Sequence, residues 1–464
     1  MPTSAPRSVL LLFAFALAVL SPACARSRVA PAPSPTVAVV ATAVPAREPS
    51  PTPEPDLGEG WIELVRRGWE SILDYHIAQP EPRPLLAAAW REVSAEARSR
   101  GIDAGSQPLL AGEREEMWAA FADSYLALLH ASPEDAWQAY RYAALSGMTA
   151  SLGDCHTFFL PPRRSEVLTD IRTGRGSGGI GVELAPVRPT YVRETISGGP
   201  AHKAGVLPGD YLLAVDGRDV TGLGIEVITE LLRGEPGSAI SVEVRRPSNG
   251  SVLNFPLTRD LVHAPIADGR VLPDGSGYIR IRSFTTGPSL RDAVDGLIAG
   301  FEAAGVQGWV IDLRDNPGGD SDLELYGRFV GDAVAERSLL RDGGLEIRDG
   351  EGEAYPQRPI AVLVNAGTAS VAEIFAAMLQ DYGRGRVFGS GTGRCAGFVS
   401  LETYPDQSTL GVTIARSLTP RTEQPLWQTG VVPDVTVRRT QADIAANRDP
   451  VRDAALAWLR TQAP

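Results

Sequence analysis

Two short runs late in the chain, Trp309-Val310-Ile311-Asp312-Leu313 and Ile360-Ala361-Val362-Leu363-Val364, are apolar at nearly every position. A strand with one face in water alternates polar and apolar residues, so an unbroken apolar run of this length belongs to a strand covered on both faces. Helices supply that cover, and helical stretches lie near residues 290–303 and 370–382. Tyr278-Ile279-Arg280-Ile281-Arg282 alternates as a half-exposed strand. From about residue 277 onward the pattern therefore predicts an α/β region with a largely parallel sheet.

Upstream the texture differs. Residues 61–160 read as helical, with Ile62, Val65, Trp69, Ile72 and Leu73 at helical spacing, and again Trp118, Phe121, Tyr125, Leu128 and Leu129. Ser132-Pro133-Glu134-Asp135 has the form of a helix start, with a serine N-cap, proline in the first turn and carboxylates facing the dipole. The N-terminus is a targeting segment: Arg7 precedes an apolar stretch over residues 9–20, too short to span a bilayer and of the size of a signal-peptide core. Ala23-Cys24-Ala25 fits a small-x-small cleavage site, leaving Arg26 first; lipidation of Cys24 is the alternative. Export to an extracytoplasmic compartment (periplasm, cell surface or medium) is expected on either route. The Pro/Ala-rich stretch that follows is too poor in large apolar residues to offset its ordering entropy and reads as a tether.

The segment from about residue 176 to 259 shows short β runs punctuated by glycine. Gly178-Gly179-Ile180-Gly181-Val182-Glu183-Leu184, then Gly199-Pro200-Ala201-His202-Lys203-Ala204-Gly205, then Leu212-Leu213-Ala214-Val215-Asp216-Gly217, resembles a PDZ domain. The resemblance implies that Gly178, Gly179, Ile180, Gly181 and Val182 receive a peptide: the glycines offer backbone N–H groups to a terminal carboxylate, and the strand edge accepts an extended chain. The expected division is 1–25 signal peptide, 26–58 tether, 59–168 helical region, 170–260 PDZ module and 263–464 α/β core, a multidomain α+β protein.

Two loops follow the buried strands. One is Asp312-Leu313-Arg314-Asp315-Asn316-Pro317-Gly318-Gly319; the other is Asn365-Ala366-Gly367-Thr368-Ala369-Ser370-Val371-Ala372-Glu373-Ile374. A serine where a buried strand meets a helix stands among amides and a dipole that favour developing negative charge. Alone it is an N-cap; beside a paired-glycine loop able to form an oxyanion hole it becomes a candidate nucleophile.

These motifs, in the order helical region, PDZ module and α/β domain, with the closing Gly430-Val431-Val432-Pro433-Asp434, resemble the carboxyl-terminal processing peptidases, or tail-specific proteases. The resemblance implies a crotonase-like core, serine endopeptidase activity by an acyl-enzyme route, and protein or peptide substrates with accessible C-termini. It makes Ser370 the nucleophile and the amides of Val371 with Gly318 or Gly319 the oxyanion hole.

The chain departs from the family's best-known branch at its base. That branch pairs the serine with a lysine, and here the corresponding stretch is Gly389-Ser390-Gly391-Thr392-Gly393-Arg394-Cys395-Ala396-Gly397, with Cys395 in the lysine's place. The chain has one lysine, Lys203, inside the PDZ module. Arg394 stays protonated and accepts nothing. Of five histidines, His76, His130 and His202 read as structural, whereas His156 lies in Leu152-Gly153-Asp154-Cys155-His156-Thr157, similar to the Gly-Asp-x-His-Thr stretch of the tricorn-core-like branch, which uses a histidine base. An imidazole near neutrality can accept the serine proton and return it to the leaving amine. The orienting carboxylate of that branch has its slot at Trp427, leaving Glu423, a little upstream, as the candidate.

An exported chain permits disulfides, and Cys155 and Cys395, beside the proposed base and in the lysine's former place, are the candidate pair. No zinc-type spacing of His and Cys occurs in the sequence, and neither metal nor cofactor is expected. A net charge of −12 with no basic stripe speaks against nucleic acid. The rival reading is a peptide-binding scaffold that has lost catalysis with its lysine.

Overall fold

The computed structural model describes residues 59–173, 177–185, 187–284 and 288–462; the signal segment, Cys24 and the tether lie outside the described residues. Four helices open it, α1 (Glu59–Tyr75), α2 (Pro82–Ser99), α3 (Arg114–His130) and α4 (Trp137–Ala150). Their apolar stripes meet in one core in which Trp69 stacks on Trp118 with ring centroids 5.2 Å apart. The expected start at Ser132 is displaced. A 3-10 turn at Glu134–Ala136 leads into α4, while the Ser132 hydroxyl donates to the Leu128 carbonyl at 2.7 Å, closing α3 instead.

A short strand, β1 (Phe158–Leu160), and α5 (Pro162–Thr173) lead to the PDZ module. That module contains β2 (Ser177–Gly179), β3 (Val182–Leu184), β4 (Val192–Thr195), α6 (Pro200–Ala204), β5 (Tyr211–Val215), β6 (Arg218–Asp219), α7 (Ile225–Leu232), β7 (Ala239–Arg245), β8 (Val252–Thr258) and β9 (Asp260–Val262). It has its own core around Ile180, Leu212, Ile228 and Val242. Lys203 lies exposed on α6.

The remaining elements are β10 (Ala267–Val271), β11 (Gly277–Ile281), α8 (Pro288–Ala303), β12 (Trp309–Asp312), α9 (Leu323–Val330), β13 (Val334–Leu340), β14 (Leu345–Asp349), β15 (Ile360–Val364), α10 (Val371–Asp381), β16 (Arg386–Gly389), β17 (Gly397–Thr403), β18 (Thr409–Leu418), α11 (Leu426–Thr429), β19 (Val435–Thr436), α12 (Gln441–Ala445) and α13 (Pro450–Gln462). A six-stranded sheet in the order β10-β11-β12-β15-β16-β19 is parallel except for its β10–β11 edge. Both apolar runs lie in it, and every residue of β12 and β15 is buried.

Strand–helix alternation does not describe the whole core. A second, antiparallel sheet in the order β1-β18-β13-β14, with β17 also on β18, stands beside the first. Its edge strand β1 comes from the N-terminal region and pairs Phe158 with Gly411 of β18. A Cβ at Gly411 would stand 2.7 Å from the Phe158 ring, so glycine lets the two strands close. Phe159, Tyr404, Leu410 and Val412 belong to the same apolar cluster as the N-terminal helices, which fuses that region to the core. The segment between α4 and β1, containing His156, is thereby held against β18.

Candidate active site

Strand β15 runs out at Val364, and α10 begins at Val371. Ser370, between them, has φ 56° and ψ −127°. For a residue with a Cβ this costs on the order of 1–3 kcal/mol and persists only where its surroundings enforce it. Such a strained strand-to-helix turn presents its side chain above the sheet. Helix α10 supplies the enforcement from below. Phe375 is fully buried against Phe284, Tyr326 and Phe329 at centroid distances of 5.5, 5.6 and 5.1 Å.

Glu373 supplies it from the side. Its Oε2 accepts the Ser370 N–H at 3.0 Å and the Cys395 N–H at 2.8 Å, while Oε1 accepts the Arg394 N–H at 2.9 Å and the Thr392 hydroxyl. Burial pushes the Glu373 pKa up, and these four donors pull it back. The carboxylate thus ties the Ser370 turn to the loop over residues 392–395.

The glycine loop abuts the serine. Gly318 has φ 94°, and a Cβ there would stand 2.6 Å from Ser370 Cβ and 2.9 Å from the Val371 nitrogen. Its N–H, however, donates to Asn316 Oδ1 at 2.8 Å, and buried Asn316 is fixed in turn by donating from Nδ2 to the Ile281 carbonyl at 2.9 Å. Of the two expected glycine donors, Gly318 is thus committed. The Gly319 N–H has no hydrogen-bond partner among the described residues.

His156 meets Ser370 across the fold, with Nε2 at 3.0 Å from Oγ, although 214 residues separate them. Asp154 sets its place. Asp154 Oδ1 accepts the N–H groups of His156 at 3.0 Å and Thr157 at 2.7 Å and the Thr413 hydroxyl at 2.5 Å. Asp154 Oδ2 lies 2.8 Å from Nε2 of His76, which is 1 % exposed. The Ala78 N–H donates to His76 Nδ1 at 3.1 Å, so Nε2 carries the proton toward the carboxylate. Burial works to raise the Asp154 pKa, but the bonds from His76, Thr413 and Thr157 outweigh it and hold the carboxyl well below its usual range. For His156 burial dominates and lowers the pKa, with the Asp154 charge opposing, which leaves the ring neutral at pH 7.

Cys155 and Cys395 form a disulfide with Cα atoms 5.9 Å apart. Each sulfur lies 3.9 Å from His156 Nδ1. No carboxylate among the described residues accepts from that nitrogen. Glu423 does not: it is exposed and pairs with Arg337 at 3.2 Å, while Trp427 lies against the Arg416 guanidinium, 5.6 Å from ring centroid to carbon. His156 Nδ1 therefore faces sulfur where an acidic partner was expected.

The PDZ groove, about 440 Å³, runs between β3 and α7. Gly179, Ile180, Gly181 and Val182 line it. Gly178 does not; it sits in the β2–β9 ladder opposite Leu261, where a Cβ would strike the Gly234 carbonyl oxygen. Ser283, Asp315 and Pro317 also line the groove, so it reaches the loop that carries Gly318. Charged pairs fasten module to core: Arg193 to Asp315, and Arg280 to Glu183 (3.1 Å) and Glu194. Asp315 Oδ1 also accepts from Asn365 Nδ2 at 2.9 Å, at the root of the Ser370 loop.

Ser370, His156, Gly318, Val371 and both cysteines thus converge, and Glu423 and Gly178 stand apart. Asp154, His76, Asn316 and Glu373 were not singled out from sequence. Asp154 had a local signal, an aspartate two residues before the histidine, the form of an Asx turn capping later amides. His76, 78 residues from its partner, had none.

A sequence profile of peptidase family S41 matches residues 275–437, and a PDZ-domain profile matches residues 191–246. The carboxyl-terminal-processing protease of Synechocystis sp. is 30% identical over 68% of this chain and 76% of its own length. The carboxy-terminal processing protease CtpA of Bacillus subtilis is 30% identical over 63% of this chain and 62% of its own. Among solved structures, a photosystem II D1 C-terminal processing protease superposes with a TM-score of 0.51 at 25% identity, covering 82% of this chain and 93% of that one.

Proposed function

The chain belongs to the carboxyl-terminal-processing proteases of peptidase family S41, and from that premise we propose that this PDZ-bearing serine peptidase is exported and cleaves proteins near their C-termini with a Ser370–His156 dyad. The observation that carries the reading is the 3.0 Å approach of His156 Nε2 to Ser370 Oγ at a strained strand-to-helix turn.

Ser370 donates its proton to the neutral ring as Oγ attacks the scissile carbonyl. The imidazolium then protonates the leaving amine, and a water repeats the cycle on the acyl-enzyme. The N–H groups of Val371 and Gly319 receive the oxyanion, because Asn316 already holds that of Gly318. Asp154 acts through the backbone and its charge, not through Nδ1.

The PDZ groove supports the substrate class. Its lining is largely apolar and includes Asp315 and Pro317 of the loop that carries Gly318, so a tail seated there leads the preceding chain toward Ser370. The N-terminal segment supports export, with release after Ala25 or anchoring at Cys24 as its two outcomes.

The test is cleavage of a protein bearing an apolar C-terminal tail, with labelling by a serine-directed fluorophosphonate. Ser370→Ala should abolish both, and His156→Ala should cut turnover about a hundredfold or more. Cleavage by Ser370→Ala at the parent rate would falsify the assignment.

A further inference from the structure

We propose that, once their disulfide is reduced, Cys155, Cys395 and Nδ1 of His156 form a binding site for a soft divalent cation of the zinc class, and that filling this site silences Ser370. The two sulfurs and the imidazole nitrogen all lie within 4.8 Å of one another. Nδ1 is 3.9 Å from each sulfur, and no other protein group competes for it among the described residues.

The geometry suits a tetrahedral ion. With metal–sulfur bonds of about 2.3 Å and metal–nitrogen bonds of about 2.0–2.1 Å, ligand atoms at tetrahedral angles sit roughly 3.6 Å (N to S) and 3.8 Å (S to S) apart. The N-to-S distances thus need to shorten by only a few tenths of an ångström, and the Cys395 sulfur, which is also 3.9 Å from Nε2, must in addition turn toward the Nδ1 side of the ring. The sulfurs need only part to a non-bonded separation across a Cα–Cα distance of 5.9 Å, which side-chain rotation provides. Three protein ligands leave the fourth position for water. The set, two thiolates and an imidazole, is one that zinc favours over hard cations.

The step balances with a dithiol as reductant. It gives two electrons and two protons to the Cys155–Cys395 bond and becomes a disulfide itself; the two cysteine thiols then lose their protons to solvent as the metal binds. Cys155 is exposed, so a reductant reaches the bond.

Occupancy acts on catalysis through the ring's tautomer. A neutral imidazole has one proton for two nitrogens, and metal on Nδ1 confines that proton to Nε2. Nε2 is the atom 3.0 Å from Ser370 Oγ, and once protonated it cannot accept the serine proton. The ring stays in place and the dyad loses its acceptor. Silencing rests on His156 being the base; binding does not.

The full chain, reduced with a phosphine and freed of oxygen, is titrated with Co2+ as a spectroscopic probe and with Zn2+ in the tail-cleavage assay. The reduced chain should develop tetrahedral d–d bands and thiolate-to-cobalt charge transfer saturating at one equivalent. The oxidised chain should show neither, and Cys395→Ser should lose them. Since that variant could lose its fold, Zn2+ protection of both thiols from alkylation in the unmutated reduced chain gives a second readout. One equivalent of Zn2+ should lower cleavage by the reduced chain about a hundredfold or more, the scale of a lost general base, with recovery on chelation. Absence of stoichiometric cobalt bands and of thiol protection overturns the site. Bands with unchanged cleavage overturn the silencing and, with it, His156 as base.

Discussion

His76 Nε2 stands 2.8 Å from Asp154 Oδ2, and through this bond a buried ring at the end of α1 fixes the turn that presents His156 to Ser370. The carboxylate is the junction, since its other oxygen holds the backbone of His156 and Thr157. Asp154→Asn keeps an acceptor for those amides but removes the charge that raises the His156 pKa. The acidic limb of the kcat/KM profile should therefore move to lower pH, with a loss of roughly tenfold or more from the weakened network, about 1–3 kcal/mol. A drop in rate with an unmoved limb would show a purely structural Asp154.

The pH dependence of the parent enzyme has a definite sign. Burial lowers the His156 pKa, and in the proposed dyad the neutral ring is the acceptor. Cleavage should rise with pH through a midpoint below the ordinary histidine value of about 6.5. Stability follows the same direction. Between the lowered folded pKa and the unfolded one the unfolded chain binds more protons, so this group's contribution is lost as pH falls below about 6.5. Urea midpoints and kcat/KM measured across that window check both; a midpoint above the ordinary value contradicts the burial argument.

Two glycines should be intolerant of a methyl group for different reasons. Gly318→Ala places a Cβ 2.6 Å from Ser370 Cβ at φ 94°, and should cost about 1–3 kcal/mol of stability together with most activity. Gly411→Ala meets the Phe158 ring at 2.7 Å and pries β1 from β18, so it should lower activity by displacing His156 even though Gly411 pairs with Phe158, not with the dyad. Full activity in the second variant would mean that the β1–β18 pairing does not position the base.

The bond between Arg193 on β4 and Asp315 in the glycine loop can be weighed by a double-mutant cycle with Arg193→Ala and Asp315→Ala. Both side chains are largely shielded, so the coupling in urea unfolding should reach about 1 kcal/mol or more, above the usual value for an exposed pair. Zero coupling would show that the module is held by its other contacts.

The sequence displayed what is local and what is strongly periodic. The apolar runs of β12 and β15, the glycine punctuation of the PDZ module and the serine at the start of α10 each carry their signal within a dozen residues. With Cys395 in the lysine's place, His156 stood out as the expected base through the resemblance of its Gly-Asp-Cys-His-Thr stretch to the histidine-using branch. The antiparallel sheet was hidden, since β1 is three residues long and its partner β18 lies about 250 residues away. Gly318's hydrogen bond to Asn316 was hidden for another reason: an Asn-Pro-Gly-Gly string fixes a turn without saying which amide the asparagine takes. Glu423 failed because proximity in sequence to the slot at Trp427 does not aim a side chain, and Arg337 on β13 claims it.

The Cys155–Cys395 bond makes the chain between them, the PDZ module and most of the core included, a closed ring of 240 residues' separation. Ring closure of this size removes chain entropy from the unfolded state worth roughly 5 kcal/mol in the loop model. It also changes what a cut does. A peptidase works among copies of itself, and a nick at any exposed loop inside the ring opens the circle without parting the segment that carries His156 from the loop packed beside Ser370. His156 and Ser370 stay covalently joined through damage that would divide a linear chain into two fragments.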